Sequence, residues 1–222
     1  MLYYNKNLIN LDKNSSIAHG NCRNIFLYDN KCIKVSLKET LIKRRNELKK
    51  KSKIKWLFKP LLMFYNENYY DLRFYKINLH KKEIFDYIPK FYGICKTNLG
   101  IGLVVEYMVN KDNSKMLTIK EYINKNGVNN NLLQAIKQLW NVMINNNVQI
   151  RAPHTENFLV KEDNDKLKVY MIDGFGSPNL IPLLDYLPYL GKKKIVKKFN
   201  LFIKSLKREF PNYTNFFDKI YI

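Results

Sequence analysis

The sequence predicts an α+β fold in two lobes, with a strand-rich first half holding one helix and a shorter, mainly helical second half holding one small hairpin. Three observations lead there. Strand-forming runs punctuated by turn residues dominate as far as Met108. Beyond it, apolar residues recur at helical spacing. No long linker and no internal repeat divides the 222 residues, so one compact unit is expected.

Ser16-Ile17-Ala18 leads to a turn at His19-Gly20-Asn21, and Asn24 to Tyr28 is rich in strand formers. Asp29-Asn30 makes a hairpin turn, and Lys31 to Val35 resumes extended structure, completing a three-strand meander. Outside the first residues and the basic insert, disorder is not expected. From Ser36 to about Pro60 the pattern is helical and very basic, and a second amphipathic segment runs from Tyr65 to Leu79. Ile88 to Ile94 and Gly102 to Met108 read as strands around a turn at Thr97 to Gly100. Leu117 to Asn126 and Asn131 to Asn145 read as helices, the second with Leu132, Ile136, Leu139 and Met143 on one face. Short extended pieces follow at Asn157 to Val160 and Val169 to Ile172, and the chain beyond Pro182 is largely helical.

Composition narrows the class. An aromatic content of 14% gives ample apolar surface for a core. Cys22, Cys32 and Cys95 are odd in number and lack CxxC spacing, which argues against a disulfide framework and a zinc site and for a reducing cytoplasm. No apolar run reaches the roughly 18 residues of a spanning helix. Thirty-nine Lys and Arg against nineteen Asp and Glu leave a formal charge of +20, which favours phosphate-bearing partners.

The candidate chemistry is a phosphate and magnesium site. It needs backbone donors near the phosphates, a cation on them, and oxygen ligands for the metal. Gly20 lies in the first turn, Lys34 on the third strand, Glu67 and Asp71 on the next helix, and Asn157 and Asp173 flank a Lys-rich hairpin. Singly these are weak signals. Lys34, between Ile33 and Val35, reads as a strand-edge residue whose ammonium reaches water, and Asp173-Gly174 reads as a plain turn. Their order along the chain suggests a shared nucleotide site.

Four blocks carry a resemblance: Ala18 to Arg23 with Lys31 to Val35; Asp71-Leu72-Arg73-Phe74-Tyr75; Ile88 to Gly93; and Asn157 with Ile172-Asp173-Gly174-Phe175-Gly176 running on through Leu180-Ile181-Pro182-Leu183. On these blocks the chain resembles the PhoP regulatory network protein YrbL family, a group with a protein-kinase-like fold. The resemblance implies one kinase-like domain over 1–222, with an N-lobe at 1–105 carrying a basic insert at 38–59, a hinge at 106–109 and a C-lobe at 110–222. It implies ATP and Mg2+ as cofactors, with Gly20 over the phosphates and Lys34 pairing with them. Asp71 would be the helix partner of Lys34, with Glu67 as the alternative. Glu106 to Met108 would meet the adenine, and Asn157 and Asp173 would hold magnesium. It also implies a bacterial regulatory setting.

Two departures shape the functional expectation. Where kinases commonly place a catalytic aspartate, five residues before the asparagine, this chain has Ala152, and His154 is the nearest replacement. No activation segment is recognisable in the 46 residues after Gly176, which argues against a protein substrate. The expected function is a regulatory pseudokinase or very weak kinase. The alternatives are an active phosphotransferase on a sugar or lipid headgroup of the cell envelope, and an adaptor for membrane surfaces or polyanions.

Two basic stretches bear on partners. Lys38 to Lys59 holds ten Lys or Arg and ends near Trp56-Leu57-Phe58, a segment suited to an anionic membrane at the inner face of a cytoplasmic protein's cell. Lys192 to Arg208 holds eight more, with Ile195, Phe199, Phe202 and Leu206 on one face, and reads as a helix packed inward with solvated lysines. A phosphorylated envelope glycan is a further expected partner. Nucleic acid is not, since no reading motif accompanies the charge.

Overall fold

The computed structural model describes residues 3–19, 22–37, 39, 42, 67–163, 166–177 and 183–220. It is an α+β structure whose chain divides into two compact units, Met1–Tyr75 with Lys90–Tyr107, and Lys76–Pro89 with Met108–Ile222.

The first unit is built on a six-stranded sheet in the order β1-β5-β6-β4-β3-β2. Its strands are β1 (Tyr3–Ile9), β2 (Ser16–His19), β3 (Arg23–Tyr28), β4 (Lys31–Ser36), β5 (Phe91–Thr97) and β6 (Gly100–Glu106). The expected meander is β2 to β4. Asp29 and Asn30, at φ 49° and 53°, make the left-handed two-residue turn that suits the twist of a hairpin. Ile33 lies opposite both Phe26 and Val104, and these side chains join Ile9, Leu11, Val35 and Cys95 in a core on one face of the sheet. Lys34, opposite Ile25 and Leu103, therefore belongs to the other face.

Ahead of the meander, a further strand, β1, pairs in parallel with β5. Ile9 and Leu11 bring apolar surface into the core. Asn98 secures the exit, its side chain accepting from the Leu11 N–H at 2.9 Å and donating to the Leu11 carbonyl at 3.0 Å. The helix α1 (Glu67–Asn78) supplies buried Phe74 and Tyr75, and Tyr75 stacks on Phe91 with centroids 4.8 Å apart. The basic segment 38–59 lies outside the described residues except for Glu39 and Ile42.

In the second unit a three-stranded sheet, β7 (Leu117–Thr118), β8 (Phe158–Asp163) and β9 (Lys166–Met171), accompanies five helices among the described residues. These are α2 (Ile119–Asn126), α3 (Asn130–Asn145), α4 (Leu183–Tyr186), α5 (Pro188–Glu209) and α6 (Thr214–Phe217). The Thr118 hydroxyl accepts from the Glu121 N–H while the Glu121 carboxylate accepts from the Thr118 N–H, so α2 begins in a reciprocal cap. Helix α3 buries Leu132, Ile136, Leu139 and Met143, the face its periodicity predicts. Trp140 sits at the centre, 5.3 Å from Phe199, 5.6 Å from Phe202 and 6.2 Å from Phe158 between ring centroids. Helix α5 buries Ile195, Phe199, Phe202 and Leu206, as expected of an inward stripe.

Residues Lys76–Pro89 join this second unit because their polar groups are satisfied there. The Tyr87 carbonyl accepts from the Met171 N–H at 2.9 Å, Lys81 Nζ donates to the Asn146 carbonyl at 2.7 Å, and Asn146 donates to Glu83 at 2.8 Å. Among the described residues no helix is long and apolar enough to cross a membrane.

Candidate functional site

In the first unit Arg23, Lys34, Asn68 and Asp71 are all buried, and hydrogen bonds tie Arg23, Asn68, Asp71 and the Lys34 main chain together. Lys34 is not a strand-edge residue: β4 runs between β3 and β6, and the side chain is only 5% exposed. Asn68, in the first turn of α1, donates to the Lys34 carbonyl at 2.7 Å and to the Ile101 carbonyl at 3.3 Å. Arg23 Nη1 donates to Asp71 Oδ2 at 2.6 Å and to Asn68 Oδ1 at 3.2 Å. The helix acid that the resemblance assigns to Lys34 is thus held by an arginine from β3. Glu67 stands half-buried at the start of the same helix.

Arg23 and Asn68 had no assigned role in the sequence. A signal for Arg23 was present: on a strand it shares the parity of Ile25, which lies opposite Lys34, so it occupies the same face. The lysine's charge reaches its neighbours. Burial pushes the Cys32 thiol up to about 11, and the Lys34 ammonium pulls it part of the way back. Burial also pushes Cys95 up to about 11, so both thiols are protonated at neutral pH.

In the second unit the β8–β9 hairpin places Phe158 opposite Met171, which sets Asn157 and Asp173 at its open end. The Ile172 N–H donates to the Asn157 carbonyl at 2.9 Å. Asn157 Nδ2 donates to the Ala152 carbonyl at 2.8 Å, leaving Oδ1 as the side chain's other polar atom. The Asp173 carboxylate accepts from the Gly174 N–H at 2.5 Å. Gly174 has φ +81°, and a Cβ there would come within 2.5 Å of the Ala152 carbonyl oxygen and 3.1 Å of Asn157 Nδ2. Ala152, Asn157, Asp173 and Gly174 are therefore packed together, and only a glycine fits the last position.

The loop that carries these residues is fastened along its length. The Arg151 and Ala152 N–H groups both donate to the Gly174 carbonyl, at 2.7 and 3.2 Å, and the Gly176 N–H donates to the Gln149 carbonyl at 2.8 Å. Arg151 Nη1 donates to the Phe175 carbonyl at 2.8 Å. From α5, Lys198 Nζ donates to the Arg151 carbonyl at 2.8 Å and Glu209 accepts from the Thr155 hydroxyl at 2.9 Å. Burial lowers the Lys198 pKa, and the charges of Lys194 and Arg151 lower it further. His154 caps the short turn Thr155–Asn157 with its backbone, and its side chain is exposed.

Glu106 ends β6 and closes the β5–β6 hairpin: its N–H donates to the Lys90 carbonyl at 2.9 Å and its carboxylate accepts from the Lys90 N–H at 3.1 Å. The boundary between the units falls between Tyr107 and Met108, and Met108 is half-buried. Gly20 and the stretch 178–182 lie outside the described residues.

Asn157 and Asp173 offer an amide and a carboxylate oxygen, the donor chemistry of a hard divalent cation. Among the described residues no group of three or more His, Cys, Asp or Glu gathers into a metal site. A two-ligand set suits magnesium, which keeps waters and binds substrate phosphates alongside one or two protein oxygens.

An α+β chain with a meander-based sheet in one unit and an Asn–Asp hairpin end in the other defines the structural class. The family described as PhoP regulatory network protein YrbL matches residues 9–207, and the chain belongs to that family. A comparison with curated proteins finds no match.

Proposed function

We propose that the chain is an ATP- and magnesium-binding protein with a protein-kinase-like fold, acting as a regulatory pseudokinase or a very weak kinase. The observation that carries the reading is the Asn157 and Asp173 pair at one hairpin end, with Ala152 packed against it through its carbonyl. In this reading Asn157 and Asp173 hold magnesium, which neutralises phosphate charge when bound. Lys34 pairs with the phosphates, Gly20 lies over them, and Glu106 to Met108 meet the adenine. Ala152 has no group to accept a proton, and loss of a general base costs about 10²- to 10⁴-fold in rate. His154, exposed beside Thr155, is free to approach a phosphate without having to act as a base.

Calorimetry of the full chain with ATP and magnesium tests this. Wild type is expected to bind, and Asp173→Asn to remove the magnesium dependence. Lys34→Met is expected to weaken ATP at least about tenfold while sparing adenosine, as for one lost contact to a charged group. Absence of binding at millimolar nucleotide, with a folded chain shown by circular dichroism, refutes the reading.

A further inference from the structure

Residues 183–190, which comprise α4, Leu187 and the first residues of α5, expose Leu183, Tyr186, Leu187, Tyr189 and Leu190. Single exposed leucines are ordinary on protein surfaces. Five large apolar side chains exposed within eight residues, with Tyr186 and Tyr189 at 66% and 70% exposure, are a concentration that soluble surfaces seldom carry without a use. Asp185, the one acid in the stretch, is turned inward and buried, and its carbonyl accepts from Asn147 Nδ2 at 3.1 Å.

Positive charge borders the patch directly. Lys192, Lys193 and Lys194 follow it, and no Asp or Glu occurs from there to Arg208. Lys193 Nζ lies 4.3 Å from the centroid of the Tyr189 ring, so cation and aromatic face are presented at one spot. The outward side of α5 continues with exposed Lys197 and Lys204 and one exposed apolar residue, Leu201.

We infer that residues 183–194 are a docking surface for an anionic lipid bilayer. Tyrosine suits the headgroup level, leucine reaches the acyl boundary, and lysine pairs with lipid phosphates. A second copy is a poor occupant, because each chain carries a formal charge of +20 and would bring the same lysines to the contact. A nucleic acid would leave the leucines without an apolar partner. The inference is independent of nucleotide binding, and it places the membrane contact on a different segment from the basic stretch 38–59.

Sedimentation of the full chain with phosphatidylcholine vesicles, alone or with about three lipids in ten replaced by phosphatidylglycerol, tests it. Wild type is expected to bind the anionic vesicles and not the neutral ones. Tyr189→Ser with Leu190→Ser, both at exposed positions, is expected to reduce binding at least about tenfold through lost apolar insertion. Lys193→Gln is expected to cost about fivefold. Circular dichroism checks that the variants fold. The proposal is overturned by equal binding to neutral vesicles, or by loss of binding on Lys49→Glu, Lys50→Glu and Lys51→Glu with none in the Tyr189 and Leu190 variant. It is also overturned if sedimentation equilibrium shows a dimer that this variant dissociates, or if binding to a single-stranded DNA oligomer responds to these substitutions while vesicle binding does not.

Discussion

Replacing Arg23 with alanine should loosen the first unit far more than breaking any exposed ion pair. The guanidinium sits 2.6 Å from an Asp71 carboxylate whose side chain is 0% exposed, and the arginine itself is 4% exposed. Removing one partner of such a pair leaves a charge that water cannot reach, at a cost of about 3 to 5 kcal/mol. The same change also deprives Asn68 of a donor at the point where it grips the Lys34 carbonyl. By contrast the exposed Lys120–Glu156 pair, 3.2 Å apart with side chains 47% and 68% exposed, is worth about 0 to 1 kcal/mol. Hydrogen exchange followed by mass spectrometry separates the two. In Arg23→Ala, protection in β3, β4 and α1 should fall about 10²- to 10⁴-fold, while α3 of the second unit keeps its own. Lys120→Ala should change neither region by more than about fivefold. Arg23→Met combined with Asp71→Leu should recover much of the loss, because a buried apolar pair needs no charge compensation. A fall in protection no larger than that of Lys120→Ala would refute the reasoning.

Three further outcomes follow from local geometry. Gly174→Ala should lower Tm, with a cost of about 2 kcal/mol or more, because the added Cβ meets the Ala152 carbonyl at 2.5 Å and φ is +81°; a Tm equal to that of wild type would contradict the packing described. At the start of α2, Thr118→Ala should cost about 1 kcal/mol in urea denaturation. There the hydrogen bond from the Thr118 N–H, 2.7 Å long, is the main reason the Glu121 carboxyl titrates below its ordinary value. A lowered carboxyl contributes stability that is fully present above its ordinary pKa of 4.5 and is lost as pH falls through the lowered value. Urea midpoints of wild type should therefore fall more steeply than those of Glu121→Gln below about pH 4.5, and parallel curves would exclude the cap as a source of that slope.

Local pattern made much of the fold legible. The β2 to β4 meander, the β5–β6 hairpin and helices α2, α3 and α5 are each announced by alternation, by helical spacing or by a turn residue, all of which operate within about a dozen positions. Strand β1 escaped because nothing in Tyr3 to Ile9 alternates cleanly, and its partner strand begins at Phe91. Only the arrival of Ile9 and Leu11 in a distant core makes that strand worthwhile. The same limit hid the Arg23–Asp71 pair, whose members lie 48 residues apart. Within the second unit, the proximity of Asn157 and Asp173 was legible because a hairpin between them leaves little choice of register. The fastening of their loop by Lys198 and Glu209 was not, since Lys198 reads as a solvated lysine and Glu209 lies far from the loop in sequence.

Alanine at position 152 separates two properties that one residue could have combined. The loop around it is fixed by main-chain bonds: the Arg151 and Ala152 N–H groups both reach the Gly174 carbonyl, and the Ala152 carbonyl receives Asn157. None of these depends on the side chain at 152. An acid could therefore be absent without disturbing the amide and carboxylate oxygens of Asn157 and Asp173, whose positions follow from the hairpin, from Gly174 and from the ties to α5. On the proposed reading, proton abstraction and cation holding are separable in this fold. The structural constraint falls on Gly174 and on the backbone of residues 151–157, and substitutions at the side chain of 152 should be far better tolerated than any addition at 174.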